Sequence, residues 1–192
     1  MPAGPPDPSL RRRSMRRFRA LSTALAMASA TLIVLDLPGC GGASFDGKVV
    51  RGPGYAFQVG PTPERWRRID ISQAALAFRD DAGDATIAVN RRCGVDGEDV
   101  PLASLTQHLF LEFTEREIKA QTVVPFDGRE AMHSVVSAKL DGVPKTFDVW
   151  VLKKDGCVYD LYLISHPARY ERSAADFDRF VHGFATVESH AD

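Results

Sequence analysis

Three Asp-Gly pairs in the second half of the chain, Asp127-Gly128, Asp141-Gly142 and Asp155-Gly156, restrict what it can fold into more than any other feature. A two-residue hairpin loop demands positive φ at its centre, and Asp followed by Gly tolerates that conformation. The pairs separate four runs that read as strands, residues 122–126, 130–140, 145–153 and 158–165. Four strands joined by three tight turns form an antiparallel meander. Upstream, residues 55–59, 67–71, 75–79 and 85–91 read as shorter strands. The last alternates Thr86, Ala88 and Asn90 against Ile87, Val89 and Arg91, the period-two pattern of a half-buried strand. The first is ended by Gly60-Pro61, and Pro63 then sets a turn before the large apolar Trp66.

Two helices are predicted. A polar loop over residues 94–99 leads to the first, with Asp99 as N-cap and Pro101 in the opening turn, where a missing N–H is harmless. Leu102, Leu105, Leu109 and Phe113 recur at helical spacing, with Phe110 and Ile118 beside them and Glu112, Glu115, Arg116 and Lys119 opposite. In the second helix, Ser173 and Asp176 have capping-box spacing, and Phe177, Phe180, Val181 and Phe184 form the apolar face. The order β-β-β-β-α-β-β-β-β-α predicts an α+β domain, an antiparallel sheet of about six to eight strands with helices packed on its faces.

The N-terminus reads as an address. Arg16, Arg17 and Arg19 precede an apolar run over residues 20–37, the pattern of a secretory signal peptide, and Met15 is a better initiator than Met1. Asp36 inside the run disfavours a stable membrane span. Leu37-Pro38-Gly39-Cys40 then resembles the lipobox of bacterial lipoproteins. The resemblance implies that Cys40 becomes the first mature residue and carries the lipid, palmitate included, that anchors the chain. The expected partition is an extension and signal peptide over residues 1–39, a flexible tether over 40–54, the folded domain over 55–187 and a tail over 188–192. The expected location is the bacterial cell envelope, lipid-anchored, with the domain facing the periplasm or the cell surface. An uncleaved signal anchor and ordinary cleavage, the latter giving a soluble exported binding protein, are the competing addresses.

Six of the 24 basic and two of the 25 acidic residues fall in residues 1–39, so the 153 residues from Cys40 onward carry 18 basic and 23 acidic groups, net −5. This argues against a nucleic-acid partner, which would call for clustered Lys and Arg. It gives no electrostatic support for docking on anionic lipid either, and leaves attachment to acyl chains worth about 0.8 kcal/mol per buried methylene. With Cys40 assigned to lipid, Cys93 and Cys157 remain as an even pair in an exported protein. They are expected to form a disulfide, the alternative being two thiols too far apart to bridge.

With the strand order laid out, the chain is similar to the PsbP-like superfamily, a group that includes a photosystem subunit, a Ran-binding import factor and many small bacterial lipoproteins. The resemblance spans about residues 55–187. It rests on the opening aromatic strand followed by Pro and Trp66, on Gly128-Arg129-Glu130-Ala131 entering a strand, on the hairpin over residues 149–161, and on a final helix ending in Phe180 and Phe184. It implies a PsbP-like α/β/α sandwich and a non-enzymatic binding or accessory role, with an envelope protein or small ligand as partner. Nothing in the chain matches residues particular to the photosystem or Ran functions.

No phosphate-binding Gly loop, zinc spacing, Gly-x-Ser-x-Gly elbow or His-Glu-x-x-His helix is present, so neither a metal nor another cofactor is expected. His108, His166, His182 and His190 read as structural or solvated, and Arg67-Arg68 and Arg91-Arg92 as exposed strand ends. One candidate binding patch stands out: His133, Asp148, Trp150, Asp160 and Tyr162 on adjacent strands. Alternation puts Asp148 with Trp150 on one face and Asp160 with Tyr162 on one face, and register decides whether these coincide. A hydrolase using His133 with Asp148 or Asp160 is the enzymatic alternative, and it requires hydrogen-bond contact inside a concave pocket.

Overall fold

Strand pairing dominates the computed structural model, which describes residues 43–94 and 99–188. The expected signal peptide, the lipobox with Cys40, loop residues 95–98 and residues 189–192 lie outside the described residues. The elements in chain order begin with β1 (Ser44–Phe45), β2 (Val49–Gly52), β3 (Tyr55–Gln58), β4 (Arg67–Arg68), β5 (Ala74–Asp80) and β6 (Ala85–Cys93). After α1 (Leu102–His108) come β7 (Thr114–Phe126), β8 (Arg129–Leu140), β9 (Val143–Lys154) and β10 (Cys157–Ser165). The chain closes with α2 (Tyr170–His182) and β11 (Ala185–Val187). One sheet runs β1-β2-β3-β11 and the other β4-β5-β6-β10-β9-β8-β7, and every pairing is antiparallel.

The three Asp-Gly turns are where the meander needs them. Asp127, Asp141 and Asp155 have φ of 46°, 50° and 51°, and the glycines that follow have 72°, 77° and 69°. The loops pair Phe126 with Arg129, Leu140 with Val143, and Lys154 with Cys157.

Each face of the large sheet has its own core. One face packs against the small sheet and α2 through Phe57, Phe78, Ile87, Val89, Leu161, Leu163, Phe177 and Phe180. Edge-to-face contacts such as Phe57–Tyr159 (5.9 Å) and Phe78–Phe180 (6.2 Å) join these layers. The other face packs Phe147, Val149, Val151 and Val158 against Leu105 of α1 and Phe110 beyond it. This is the expected α+β arrangement, with a second sheet added on the α2 side.

Three expectations are corrected. Residues 43–54 are not wholly a tether, because Ser44–Phe45 and Val49–Gly52 are strands and Val50 is fully buried. The alternation of small and apolar residues there is too short to announce itself without the partner β3. The first helix stops at His108, and Glu115, Arg116, Ile118 and Lys119 lie in the edge strand β7. Phe110 and Phe113 reach Phe147 from the intervening turn, with ring centroids 5.5 and 4.7 Å away. From Thr114 onward the β-branched Thr122, Val123 and Val124 and a long ladder with β8 outweigh helical spacing, and bulges near Glu115 and Lys119 absorb the misfit. Pro101, not Asp99, takes the N-cap position of α1, with no side-chain cap.

The capping box of α2 is also replaced. His166 caps the one-turn 3-10 helix Pro167–Arg169 that leads into α2, its Nδ1 accepting from the Ala168 N–H at 3.2 Å. Ser173 and Asp176 therefore lie inside α2 and are buried. Asp176 accepts a 2.8 Å hydrogen bond from Trp66 Nε1 and pairs with Arg65 and Arg179. Arg65 also reaches the buried Asp80 at 3.2 Å, while the Gly83 N–H donates to the other Asp80 oxygen at 3.0 Å.

The end of α2 meets the end of β3 at two glycines. The Gly60 N–H donates to the Phe180 carbonyl at 2.9 Å. A Cβ on Gly60 would overlap the Arg179 carbonyl oxygen and lie 2.8 Å from its carbon, and one on Gly183 would overlap the backbone of Gly60. The obstruction is backbone, which cannot rotate away. Gly60→Ala is expected to cost about 3 kcal/mol, read as a lowered urea midpoint at unchanged slope. A loss below about 1 kcal/mol would show that the helix end shifts freely.

Candidate functional site

The residues singled out from sequence divide between the two faces of the large sheet. In β8 and β9, His133 pairs directly with Trp150, so their side chains share the α2 face. The rings stack with centroids 4.4 Å apart. His133 Nε2 lies 2.9 Å from Asp148 Oδ1, and the Tyr170 hydroxyl donates to Asp148 Oδ2 at 2.8 Å. Tyr170 begins α2, so this carboxylate ties two strands to the helix start. The Trp150 ring also meets His182 from the far end of α2, at 6.0 Å.

Asp160 and Tyr162 lie on the opposite, α1 face. Asp160 pairs across the ladder with Val151, and Tyr162 with Val149, both members of the α1-side core. Asp160 is fully buried and forms an ion pair with Arg92 at 2.9 Å. Tyr162 is hydrogen-bonded to Asn90, and burial raises its phenol above the ordinary range. The five-residue patch is thus not one surface: three members meet and two are behind the sheet. Arg91 and Arg92 are likewise not simple exposed strand ends, since Arg91 lies over the Tyr55 ring at 3.8 Å and Arg92 holds Asp160.

The remaining trio makes a strut. Asp148 is almost fully buried and has a donor at each oxygen, and His133 is covered on one side by Trp150. None of these residues lines a described cavity. Burial, then the Asp148 charge, raises the Tyr170 pKa well above the usual phenol. A raised folded pKa stabilises fully below the unfolded value near 10, and that stability is lost as pH rises through the folded one. Native stability should therefore fall at alkaline pH, and Tyr170→Phe should flatten part of the decline. At neutral pH the same variant is expected to cost about 1 kcal/mol for the lost donor. Urea midpoints measured from pH 7 to 11 check both, and an equally steep decline in the variant would remove Tyr170 from the account.

Concave surface occurs elsewhere, at the end of the domain that holds the Asp127-Gly128 and Asp155-Gly156 hairpins. A cleft of about 770 Å³ lies between them, lined by Arg92, Arg129, Lys153, Lys154, Asp127 and Asp155 among others. Lys154 donates to Asp127 at 2.8 Å, and Asp127 also accepts from the Thr186 N–H at 2.9 Å, fastening β11 to this end. A second cleft of about 500 Å³ opens between the sheets, lined by Tyr55, Tyr159, Asp155, Cys157 and Glu188 among others. The Cys93–Cys157 disulfide, across a directly opposed pair of β6 and β10, stands beside both. Sequence reading missed these clefts, though the run Lys153-Lys154-Asp155-Gly156 placed two cations beside a hairpin tip. Among the described residues, no group of three or more His, Cys, Asp or Glu side chains is placed to hold a metal ion.

The same architecture occurs in solved structures. The solution structure of cyanobacterial PsbP (CyanoP) from Synechocystis sp. PCC 6803 matches with a TM-score of 0.53 at 17% identity, over 79% of this chain and 99% of that one. The domain has a PsbP-like fold. LpqN, described as involved in cell envelope biogenesis of Mycobacterium tuberculosis, matches the PsbP-like domain with a TM-score of 0.53 at 15% identity, over 72% of this chain and 88% of that one. A Bacteroides thetaiotaomicron protein gives 0.53 at 13% identity, over 76% of this chain and 50% of that one. No family model and no curated protein sequence matches the chain. At such identities the likeness carries the PsbP-like scaffold and none of the chemistry.

Proposed function

We propose that this protein is a lipid-anchored component of the bacterial cell envelope in which a PsbP-like domain binds or assists another envelope component without catalysing a reaction. The observation that carries the reading is the position of Leu37-Pro38-Gly39-Cys40: a lipobox-like sequence after an apolar run, immediately ahead of a PsbP-like domain. The solved LpqN structure, described by its role in envelope biogenesis, supports the same setting. An accessory role is supported by the state of the one acid–base pair noticed in the sequence. His133 and Asp148 meet, but Asp148 is saturated by Tyr170, Trp150 covers the imidazole, and Asp160 is behind the sheet. A hydrolase would need that pair facing a substrate cavity. Binding surface is supplied instead by the clefts at the hairpin end.

The test is the intact mass of the mature protein extracted from membranes. The expected mass is that of residues 40–192 with a diacylglyceryl group and an acyl chain. An unmodified N-terminus would remove the anchor and make the chain a soluble exported binding protein.

A further inference from the structure

The route by which the chain enters the domain fixes how an anchored domain must stand. Ser44 pairs with Arg51, one residue before Gly52, and Gly52 pairs with Tyr55 across the turn at residues 52–54. The chain therefore enters at the 52–54 end of the small sheet. The cleft lined by Gly54, Tyr55, Asp155, Cys157 and Tyr159 joins that end to the Asp155-Gly156 hairpin of the large sheet. The Asp127-Gly128 hairpin stands next to it across the other cleft. Entry point, both hairpins and both clefts thus share one end. The opposite end carries the Asp141-Gly142 hairpin and Val143, about 35 Å away along the twelve residues of β9.

The distance from Cys40 to this end is short. Four residue steps separate Cys40 from Ser44, a reach of at most about 14 Å when fully extended. The flexible tether expected over residues 40–54 would have allowed the domain to tumble, but its residues from Ser44 to Gly52 include the strands β1 and β2.

We propose that the hairpin end of the domain lies against the phospholipid headgroups of the membrane that holds Cys40, so that both clefts open onto the bilayer surface. This rests on Cys40 being the lipidated residue. Chain length imposes the orientation, and charge is secondary. The larger cleft sets Arg92, Arg129, Lys153 and Lys154 against Asp127 and Asp155, a local cationic excess in a chain of net negative charge. Arg92 and Lys154 are partly committed to Asp160 and Asp127, and Lys153 donates to the Val100 carbonyl. The cleft can meet headgroup phosphates, but the anchor is what brings it to them.

The experiment uses the full lipidated protein in phospholipid vesicles containing a nitroxide-headgroup lipid. A small fluorophore is attached to one added cysteine at a time: Pro53→Cys and Arg129→Cys at the hairpin end, Val143→Cys at the far end. All three positions are exposed. The Pro53 and Arg129 probes are expected to be quenched several-fold more strongly than the Val143 probe. Inserting a Gly/Ser spacer of about 20 residues between Cys40 and Ser44, about 25 Å in r.m.s. length, should abolish the difference. Equal quenching at all three sites, or stronger quenching at Val143, in protein whose mass shows lipid on Cys40 overturns the orientation. A mass without lipid overturns the anchor itself, and the two failures are read separately.

Discussion

Asp176→Ala is expected to destabilise the domain by about 4 kcal/mol, the usual loss when one partner of a buried ionic cluster is removed. Asp176 is 2% exposed and lies among Phe177, Phe180 and Val181 on the face of α2 that enters the core. Its oxygens hold Trp66 Nε1 together with the guanidiniums of Arg65 and Arg179. Truncation leaves the indole N–H buried without its acceptor and leaves Arg65 with the buried Asp80 as its remaining carboxylate partner. Arg179 is largely exposed and loses little, because water replaces its partner. Asp176→Asn should cost clearly less, since an amide oxygen can still accept from Trp66. Urea titrations of Asp176→Ala, Asp176→Asn, Trp66→Phe and the Trp66→Phe/Asp176→Asn double variant make the check. Strictly additive losses in the double variant would sink the claim that carboxylate and indole act as a unit.

The parts of this fold that were legible in the sequence are those decided locally. Asp-Gly turns need positive φ whatever surrounds them, so the meander from β7 to β10 could be read directly. Phe177 and Phe180 at helical spacing likewise announced the buried face of α2, while Phe184, expected on the same helix, is buried just past its end at His182. The misread parts depend on partners distant in sequence. Residues 114–121 carry helical spacing and alternating charge, yet they become an edge strand because β8 offers a ladder. Strands of two to four residues such as β1, β2 and β11 depend on sheet partners: β3 pairs β2 and β11, and β2 in turn pairs β1. Asp176 has the local spacing of a cap, but its partners Arg65 and Trp66 lie about 110 residues upstream, beyond any local pattern.

The division of the candidate patch between two faces follows from the turns themselves. A two-residue loop at Asp155-Gly156 forces Lys154 to pair with Cys157, so even-numbered residues of β9 share a face with odd-numbered residues of β10. Asp148 and Asp160 are both even and must lie on opposite faces. The same parity across Asp141-Gly142 puts His133 with Trp150. The Asp-Gly turns thus contain the register on which the patch depends. What no local rule supplied was Tyr170, brought to Asp148 by the path of the chain after β10.

Removing the disulfide by the paired change Cys93→Ala and Cys157→Ala is expected to cost about 4 kcal/mol, and the loss should be felt at the hairpin end before the rest. The bond joins residues 64 apart in sequence, and closing a loop of that length removes about 4 kcal/mol of denatured-state entropy in the chain-entropy model. It links β6 to β10 at their shared end, next to the turn where the Gly94 N–H donates to the Gly156 carbonyl at 3.1 Å. The β6–β10 ladder ends at this pair, so once the bond is gone this end of β6 is held to the hairpin by the terminal ladder pairs, the Arg92–Asp160 ion pair and the Gly94–Gly156 hydrogen bond, none of them covalent. Farther along the same ladder, Leu161–Val89 and Leu163–Ile87 are fully buried pairs that do not depend on it. Hydrogen exchange of the oxidised protein and the double alanine variant should therefore show the largest loss of protection at residues 91–94 and 156–159 and a smaller one at 161–165. Uniform loss across β10 would mean that the bond acts only through the unfolded chain. Preferential loss at the strand ends would show that it also keeps the two clefts in shape, since Cys157 lines both.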